Sequence, residues 1–197
     1  MFPLSFRAEV GNVNVDARTV DIIFSTGAAV PRYDYRTGTR YREVLSMDPK
    51  HVRLDRLNSV GAVLDTHSAW SVSDVFGAVE SAQIKSGRGL ATLRFSRRDD
   101  VTPVWQDVQD GILRSFSVGY NVYTYAVEPG TNGEMETRTA IDWEPFEISV
   151  VPMPADAGAT VRSGQASGLA HPCILQLPPN DGDRIRRFLL AQARSRA

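Results

Sequence analysis

Residues 115–125 read SFSVGYNVYTY, and apolar and polar side chains alternate along the whole stretch. A two-residue period is typical of a β-strand that buries one face, because successive side chains point to opposite sides of a strand. The face predicted to be buried carries Phe116, Val118, Tyr120 and Val122. The opposite face carries Ser117 and Gly119, so a small hydroxyl lies beside a residue without a side chain. The other predicted strands and helices lie before and after this strand in the sequence.

Short apolar runs bounded by turn residues recur on both sides of this strand. They predict further strands over residues 20–25, 60–64, 75–79, 90–96, 134–141 and 146–151. Two helices are predicted, over residues 48–57 with Asp48 as cap and over residues 102–113 with Thr102 as cap. In the second helix a stripe of Val104, Val108 and Ile112 is expected to face the core. Many short strands and two helices predict a mainly β fold with α: a curved or closed antiparallel β-barrel with helices packed outside.

Composition narrows the function classes. The chain has 197 residues and a formal net charge of −1, which argues against direct binding of nucleic acid. The single cysteine, Cys173, excludes an internal disulfide framework. We expect no membrane association, because no apolar run approaches the roughly 18 residues of a membrane span. The first residues lack the basic and apolar regions of a signal peptide, so we expect a cytoplasmic protein.

Composition changes near residue 163, where Gly, Ser and Pro become frequent. We predict a folded domain over residues 1–162 and a flexible linker over residues 163–182. Residues 183–197 are predicted to form a basic amphipathic tail helix.

Three residues of the predicted domain could carry hydrolytic chemistry. His67 follows the apolar strand at residues 60–64, where a general base can be both rigid and accessible. Ser117 is a candidate nucleophile only if a histidine lies near it. Glu147 could orient an imidazole and stabilise its charged form. Each residue also has an ordinary structural interpretation, as a loop histidine, a solvated strand serine and a cross-strand ion-pair partner.

Other kinds of site find little support. No Walker loop, dinucleotide-binding glycine motif, HExxH motif or nucleophile elbow is present. His67, Asp65 and His51 do not have the spacing of a recognised metal site. We therefore predict neither a metal nor a cofactor.

The order of these segments resembles the prohead (procapsid) maturation serine proteases of tailed phages, which are related to the herpesvirus assemblins. The resemblance extends from about Val20 to Val161. The matching pieces are residues 64–67, 76–79, 89–90, 110–113, 116–120 and 147–155. Residues 30–40 are longer than the common pattern of the family.

The resemblance implies an assemblin-like fold and a serine endopeptidase with His67 as base, Ser117 as nucleophile and Glu147 as third member. Arg114 and Arg138 are candidate oxyanion donors. The implied partners are the major capsid protein and its scaffold segment, inside the assembling procapsid in the host cytoplasm, with a homo-oligomer also considered. The enzyme is expected to cleave its own tail, and the tail could instead begin a fused capsid partner. Two other interpretations stay open: an inactive scaffold or capsid-assembly module of the same fold, and a peptide-binding β-barrel.

Overall fold

A computed structural model describes residues 13–131 and 134–152, and the backbone of residues 174–176. The described residues form ten strands and two helices. The strands are β1 Val13–Asn14, β2 Thr19–Ser25, β3 Val30–Asp34, β4 Thr39–Leu45, β5 Ala62–Asp65, β6 Val75–Lys85, β7 Arg88–Phe95, β8 Phe116–Glu128, β9 Glu136–Val150 and β10 Ile174–Gln176. The helices are α1 Asp55–Val60 and α2 Thr102–Gln109, and short 3-10 turns cover Pro49–His51 and Val72–Asp74.

All ten strands belong to one curled sheet that forms a half-barrel. Its main path runs β1-β2-β7-β6-β5-β9-β4-β3, and β8 pairs with the other edge of β9. Strand β9 is therefore central: β4 and then β5 lie parallel to one of its edges, and β8 is antiparallel along the other. The predicted mainly β fold is confirmed. Closure into a full barrel and an assemblin-like architecture remain predictions.

The core lies on one face of this sheet. Phe116 is buried there, and Val118, Tyr120 and Val122 pack against the core, as the alternation predicts. Helix α2 adds Trp105, whose ring lies 5.3 Å from that of Phe95. The outward face of β8 is thus left with Ser117 and Gly119.

The predicted helix over residues 48–57 is wrong. Asp48 does accept a bond from the Lys50 amide, but only a 3-10 turn follows. Val52 then bridges Trp143 of β9, and the Arg53 amide donates to the Trp143 carbonyl. These extended contacts interrupt the helix, which begins again only as α1.

The helix predicted over residues 102–113 is too long. It ends at Gln109, and Gly111 follows with a left-handed φ of 68°. Ile112 therefore lies beyond the helix and is exposed, while Trp105 and Val108 are buried. The predicted stripe was right for Val108 and wrong for Ile112.

The strands predicted over residues 134–141 and 146–151 are one continuous strand, β9. Pro145 lies inside this strand, although proline donates no ladder bond. The structure places Pro145 where the register against β8 shifts, between Gly119 and Tyr120. The sequence analysis also missed the β3–β4 hairpin, which occupies the region noted as longer than the family pattern.

Residues 174–176, inside the predicted linker, pair in parallel with Thr124–Ala126 of β8. The predicted tail helix, residues 183–197, lies outside the described residues, and the domain boundaries remain a prediction. In the part of the chain that the structure describes, no helix is long and apolar enough to cross a membrane.

A buried charge joins the β3–β4 hairpin to β8. Glu43 accepts a bond of 2.9 Å from Arg32 Nε and further bonds from the hydroxyls of Tyr120 and Tyr125. Burial, and then the Glu43 carboxylate, raise the pKa of both tyrosines above the usual range, so they stay protonated and donate. The two tyrosine hydroxyls therefore keep the protons that they donate to Glu43.

We expect Glu43→Ala to lower the free energy of unfolding by about 3 kcal/mol, because the change leaves a partly buried guanidinium and two hydroxyls without their acceptor. Urea denaturation followed by circular dichroism measures this. The control is Glu80→Ala, which removes an exposed pair with Arg94 and should cost less than about 1 kcal/mol. Equal losses in the two variants would show that the buried cluster adds no special stability.

Candidate active site

His67 lies in a tight turn directly after β5. Thr66 and His67 both have left-handed backbone conformations, with φ of 48° and 61°. Such conformations are unfavourable for side chains other than glycine and require support from neighbouring structure. Strand β9 provides it: the Thr66 amide donates to the Val150 carbonyl at 3.0 Å, and the His67 amide donates to Ser149 Oγ at 2.9 Å.

Glu147 lies beside this turn on β9. Its carboxylate Oε1 is 2.6 Å from His67 Nδ1, and its Oε2 accepts a bond of 2.8 Å from Ser149 Oγ. Glu147 is buried, whereas the His67 side chain is 42% exposed. A carboxylate only accepts, so Nδ1 carries the proton and Nε2 of the neutral ring keeps its lone pair. The arrangement supplies an oriented, accessible base.

Ser117 lies on the neighbouring strand, on the same face. In the β8–β9 register, Ser117 is opposite Ser149 and Gly119 is opposite Glu147. Side chains of directly opposed residues share a face, with Cβ atoms roughly 5 Å apart. Ser117 is half-buried, and no hydrogen bond between described residues joins it to His67. The structure thus brings His67 and Glu147 into contact and places Ser117 one strand away.

Gly119 has a role that the sequence analysis did not identify. A Cβ built on Gly119 would lie 2.8 Å from the carboxyl carbon of Glu147, closer than real contacts allow. The absence of a side chain leaves room for the Glu147 carboxylate. Gly119 therefore permits the contact between His67 and Glu147.

Of the two rival residues, His51 is bonded elsewhere and Ser115 lies outside β8. Ser115 precedes β8, and its carbonyl accepts from the Val151 amide. His51 Nδ1 lies 2.8 Å from Ser46 Oγ, in the 3-10 turn before α1. No cluster of metal-binding side chains is present among the described residues.

Arg138 is removed from the candidate oxyanion donors. Its guanidinium binds Asp34 and Glu136 and stacks on the ring of Tyr41. It lies eleven residues before Ser149 on β9, about 36 Å along the strand. Arg114 is exposed just before β8.

The turn after His67 is stabilised by polar contacts. Asp74 accepts bonds from Ser68 Oγ and from the amides of Trp70 and Ser71, and the Ser68 bond is the main cause that lowers the pKa of Asp74. Arg98 donates to the carbonyls of Val72 and Ser73. The side chains of Trp70 and Val72 nevertheless remain 78% and 84% exposed. A well-ordered turn thus presents apolar side chains to solvent beside the base.

The sequence analysis did not identify Ser149 as a functional residue. Alternation along residues 146–151 puts Ser149 on the same face as Glu147, which is the only signal that the sequence offers. The bond from the His67 amide depends on the backbone of the turn, which no residue pattern encodes.

Comparisons with known proteins identify a family. A family model described as caudovirus prohead serine protease matches residues 72–171, about half of the chain. The match includes Ser117 and Glu147 and begins just after His67.

Two phage proteins are similar in sequence. A major capsid protein of Halomonas phage phiHAP-1 is 34% identical over 126 residues, covering 64% of this chain and 20% of that protein. A capsid polyprotein of Pseudomonas phage PAJU2 is 33% identical over 66 residues, covering 34% of this chain and 9% of that protein. The chain therefore spans a fifth or less of these relatives. No solved structure matches it.

We expect Gly119→Ala to lower peptidase activity by at least a hundredfold, because the new methyl group occupies the position of the Glu147 carboxylate. The control is Gly38→Ala in the β3–β4 turn, where φ is 69° and the nearest atom is 3.8 Å away. That change also costs stability, by about 1 kcal/mol, but does so far from Glu147. Hydrolysis rates compared at equal fractions of folded protein test this, and equal activity in the two variants would contradict it.

Proposed function

Because the chain belongs to the caudovirus prohead serine protease family, we propose that it is the serine endopeptidase of procapsid maturation. It would cleave the scaffold segment and the major capsid protein, and its own tail. The observation that carries the proposal is the 2.6 Å contact between His67 Nδ1 and the buried Glu147 carboxylate, on the face that also bears Ser117.

The proposed chemistry follows from these groups. Ser117 Oγ attacks the carbonyl carbon of the peptide while His67 Nε2 takes its proton, and Glu147 stabilises the imidazolium. The proton then passes to the leaving amine as the C–N bond breaks. Water, deprotonated by the same imidazole, hydrolyses the acyl-enzyme and regenerates Ser117. The bond between Ser117 Oγ and His67 Nε2 is expected to form when substrate binds, because catalytic hydrogen bonds are often long in its absence.

The names of the relatives support the choice of substrate. Two phage proteins that contain a region similar to this chain are named as capsid proteins. A protease domain in such a chain would meet its substrate in the same assembly, at a high effective concentration. We therefore propose that the substrate is capsid protein inside the assembling procapsid.

We expect Ser117→Ala to fold normally and to lose all cleavage, because the change removes the hydroxyl that we propose forms the acyl-enzyme. The test incubates wild-type, Ser117→Ala and Ser115→Ala proteins with a fluorophosphonate probe and measures intact masses. Wild-type protein and Ser115→Ala should gain the probe and lose a tail cut between residues 163 and 183, whereas Ser117→Ala should do neither.

Other outcomes of this experiment have definite meanings. Labelling that depends on Ser115 would make Ser115 the nucleophile. Equal loss of the tail in all three proteins would reveal a contaminating protease. No labelling and no cleavage of capsid substrate by the wild-type protein would favour a non-catalytic assembly module.

We expect His67→Ala to lower the cleavage rate by at least about a thousandfold and His51→Ala to leave it near the wild-type value. Glu147→Gln should fall between them, because an orienting carboxylate stabilises charge without exchanging the proton. Initial rates on a capsid-derived peptide measure this order. Unchanged kinetics in Glu147→Gln would make that residue a structural partner only.

A further inference from the structure

Ser149 is the most completely enclosed polar side chain of the site, with 0% of its surface exposed. A hydroxyl has one proton to donate and lone pairs to accept with. The His67 amide can only donate, so Ser149 Oγ accepts from it and gives its own proton to Glu147 Oε2. Both bond directions are therefore fixed by chemistry.

These bonds close a ring of contacts around His67. Its main chain is bound to Ser149, Ser149 to Glu147, and Glu147 to the imidazole of the same histidine. His67 is thus held at two points, the amide and the ring. The partners at both points, Ser149 and Glu147, lie on one short stretch of β9, where alternation puts them on the same face.

The backbone of the turn explains why two points are needed. Thr66 and His67 are both left-handed, a conformation that each side chain disfavours. The Thr66 amide is bound to a backbone carbonyl, that of Val150, and would keep this bond after any substitution at residue 149. Among the described residues, the acceptor of the His67 amide is the Ser149 hydroxyl, so this bond depends on one side chain.

We propose that Ser149 is a positioning residue, whose hydroxyl fixes the His67 main chain and the Glu147 carboxylate together and so aims the imidazole at Ser117. This role extends the proposed function, because it concerns the same base. Ser149 touches neither substrate nor the reacting atoms. Its effect should therefore appear in the turnover rate and in the order of the turn rather than in substrate binding.

The decisive test is amide hydrogen exchange in Ser149→Ala, followed residue by residue by NMR. We expect the His67 amide to exchange at least fivefold faster than in the wild-type protein, the factor for the loss of one hydrogen bond. The Thr66 amide should change less than twofold, since its acceptor is unaltered. Faster exchange at both amides would mean general loosening of the turn, and unchanged exchange at His67 would show that Ser149 does not hold it. Either result overturns the proposal.

Kinetics give a second measurement. Ser149→Ala should lower kcat ten- to a hundredfold with KM changed less than twofold, and Ser149→Thr, which keeps the hydroxyl, should recover most of the loss. The control is Ser46→Ala, which removes the hydroxyl bound to His51 and should leave kcat unchanged. A fall of similar size in Ser149→Thr or in Ser46→Ala would contradict the assigned role.

A second variant and the exchange measurement separate failure of this proposal from failure to fold and from failure of the proposed function. If Ser149→Ala does not fold, Ser149→Cys keeps the volume with a weaker donor and acceptor, and the same contrast between the two amides applies. If the wild-type protein cleaves nothing, the proposed function fails, whereas the exchange experiment still decides whether Ser149 holds His67.

Discussion

The arrangement of the site depends on the register of β9. This strand is paired along both edges, with β8 on one side and with β4 and then β5 on the other. His67 follows β5, Glu147 lies on β9 and Ser117 lies on β8, so backbone ladders set the spacing of the three strands that position these residues. A slip of one residue would turn every side chain of β9 to the opposite face and carry Glu147 into the core. Pro145 lies between the part of β9 that pairs with β4 and the part that pairs with β5. The register against β8 also shifts there, so proline, which has no N–H to donate, lies where the ladder is already interrupted.

Glu43 and Glu147 are both buried, but their partners give the two carboxylates different chemical roles. Glu43 is enclosed by an arginine and two tyrosines that remain protonated, and none of these groups is suited to exchange a proton near neutral pH. Glu147 is equally buried, but its partner is a half-exposed imidazole. Of the two carboxylates, only Glu147 is joined to a group that can both accept a proton and reach solvent, which is why we propose the site there.

The sequence predicted the parts of this site that follow from local alternation. The two-residue period of residues 115–125 correctly places Phe116 inside and Ser117 outside, and the same reasoning puts Glu147 and Ser149 on one face of β9. Alternation cannot report which strands are neighbours, so the contact between Glu147 and His67 came only from family resemblance. The helix predicted over residues 48–57 failed because a tertiary contact, the bridge between Val52 and Trp143, overrode its local signals. The β3–β4 hairpin was missed, since its strands carry mostly polar and aromatic side chains without a clear period.

The turn that follows His67 is stabilised by polar contacts rather than by burial of apolar side chains. Its order comes from polar groups: Asp74 gathers three donors, and Arg98 binds two backbone carbonyls from outside the turn. Trp70 and Val72 add little to the stability of the turn, because their side chains stay in water. Burial of apolar surface would stabilise the turn by about 25 cal/mol for each square ångström, and these side chains bury little. A turn that needed these two residues for its stability would bury them. Since the turn is held without them, its conformation beside His67 does not depend on what Trp70 and Val72 touch, and both remain accessible to a chain that extends past the imidazole.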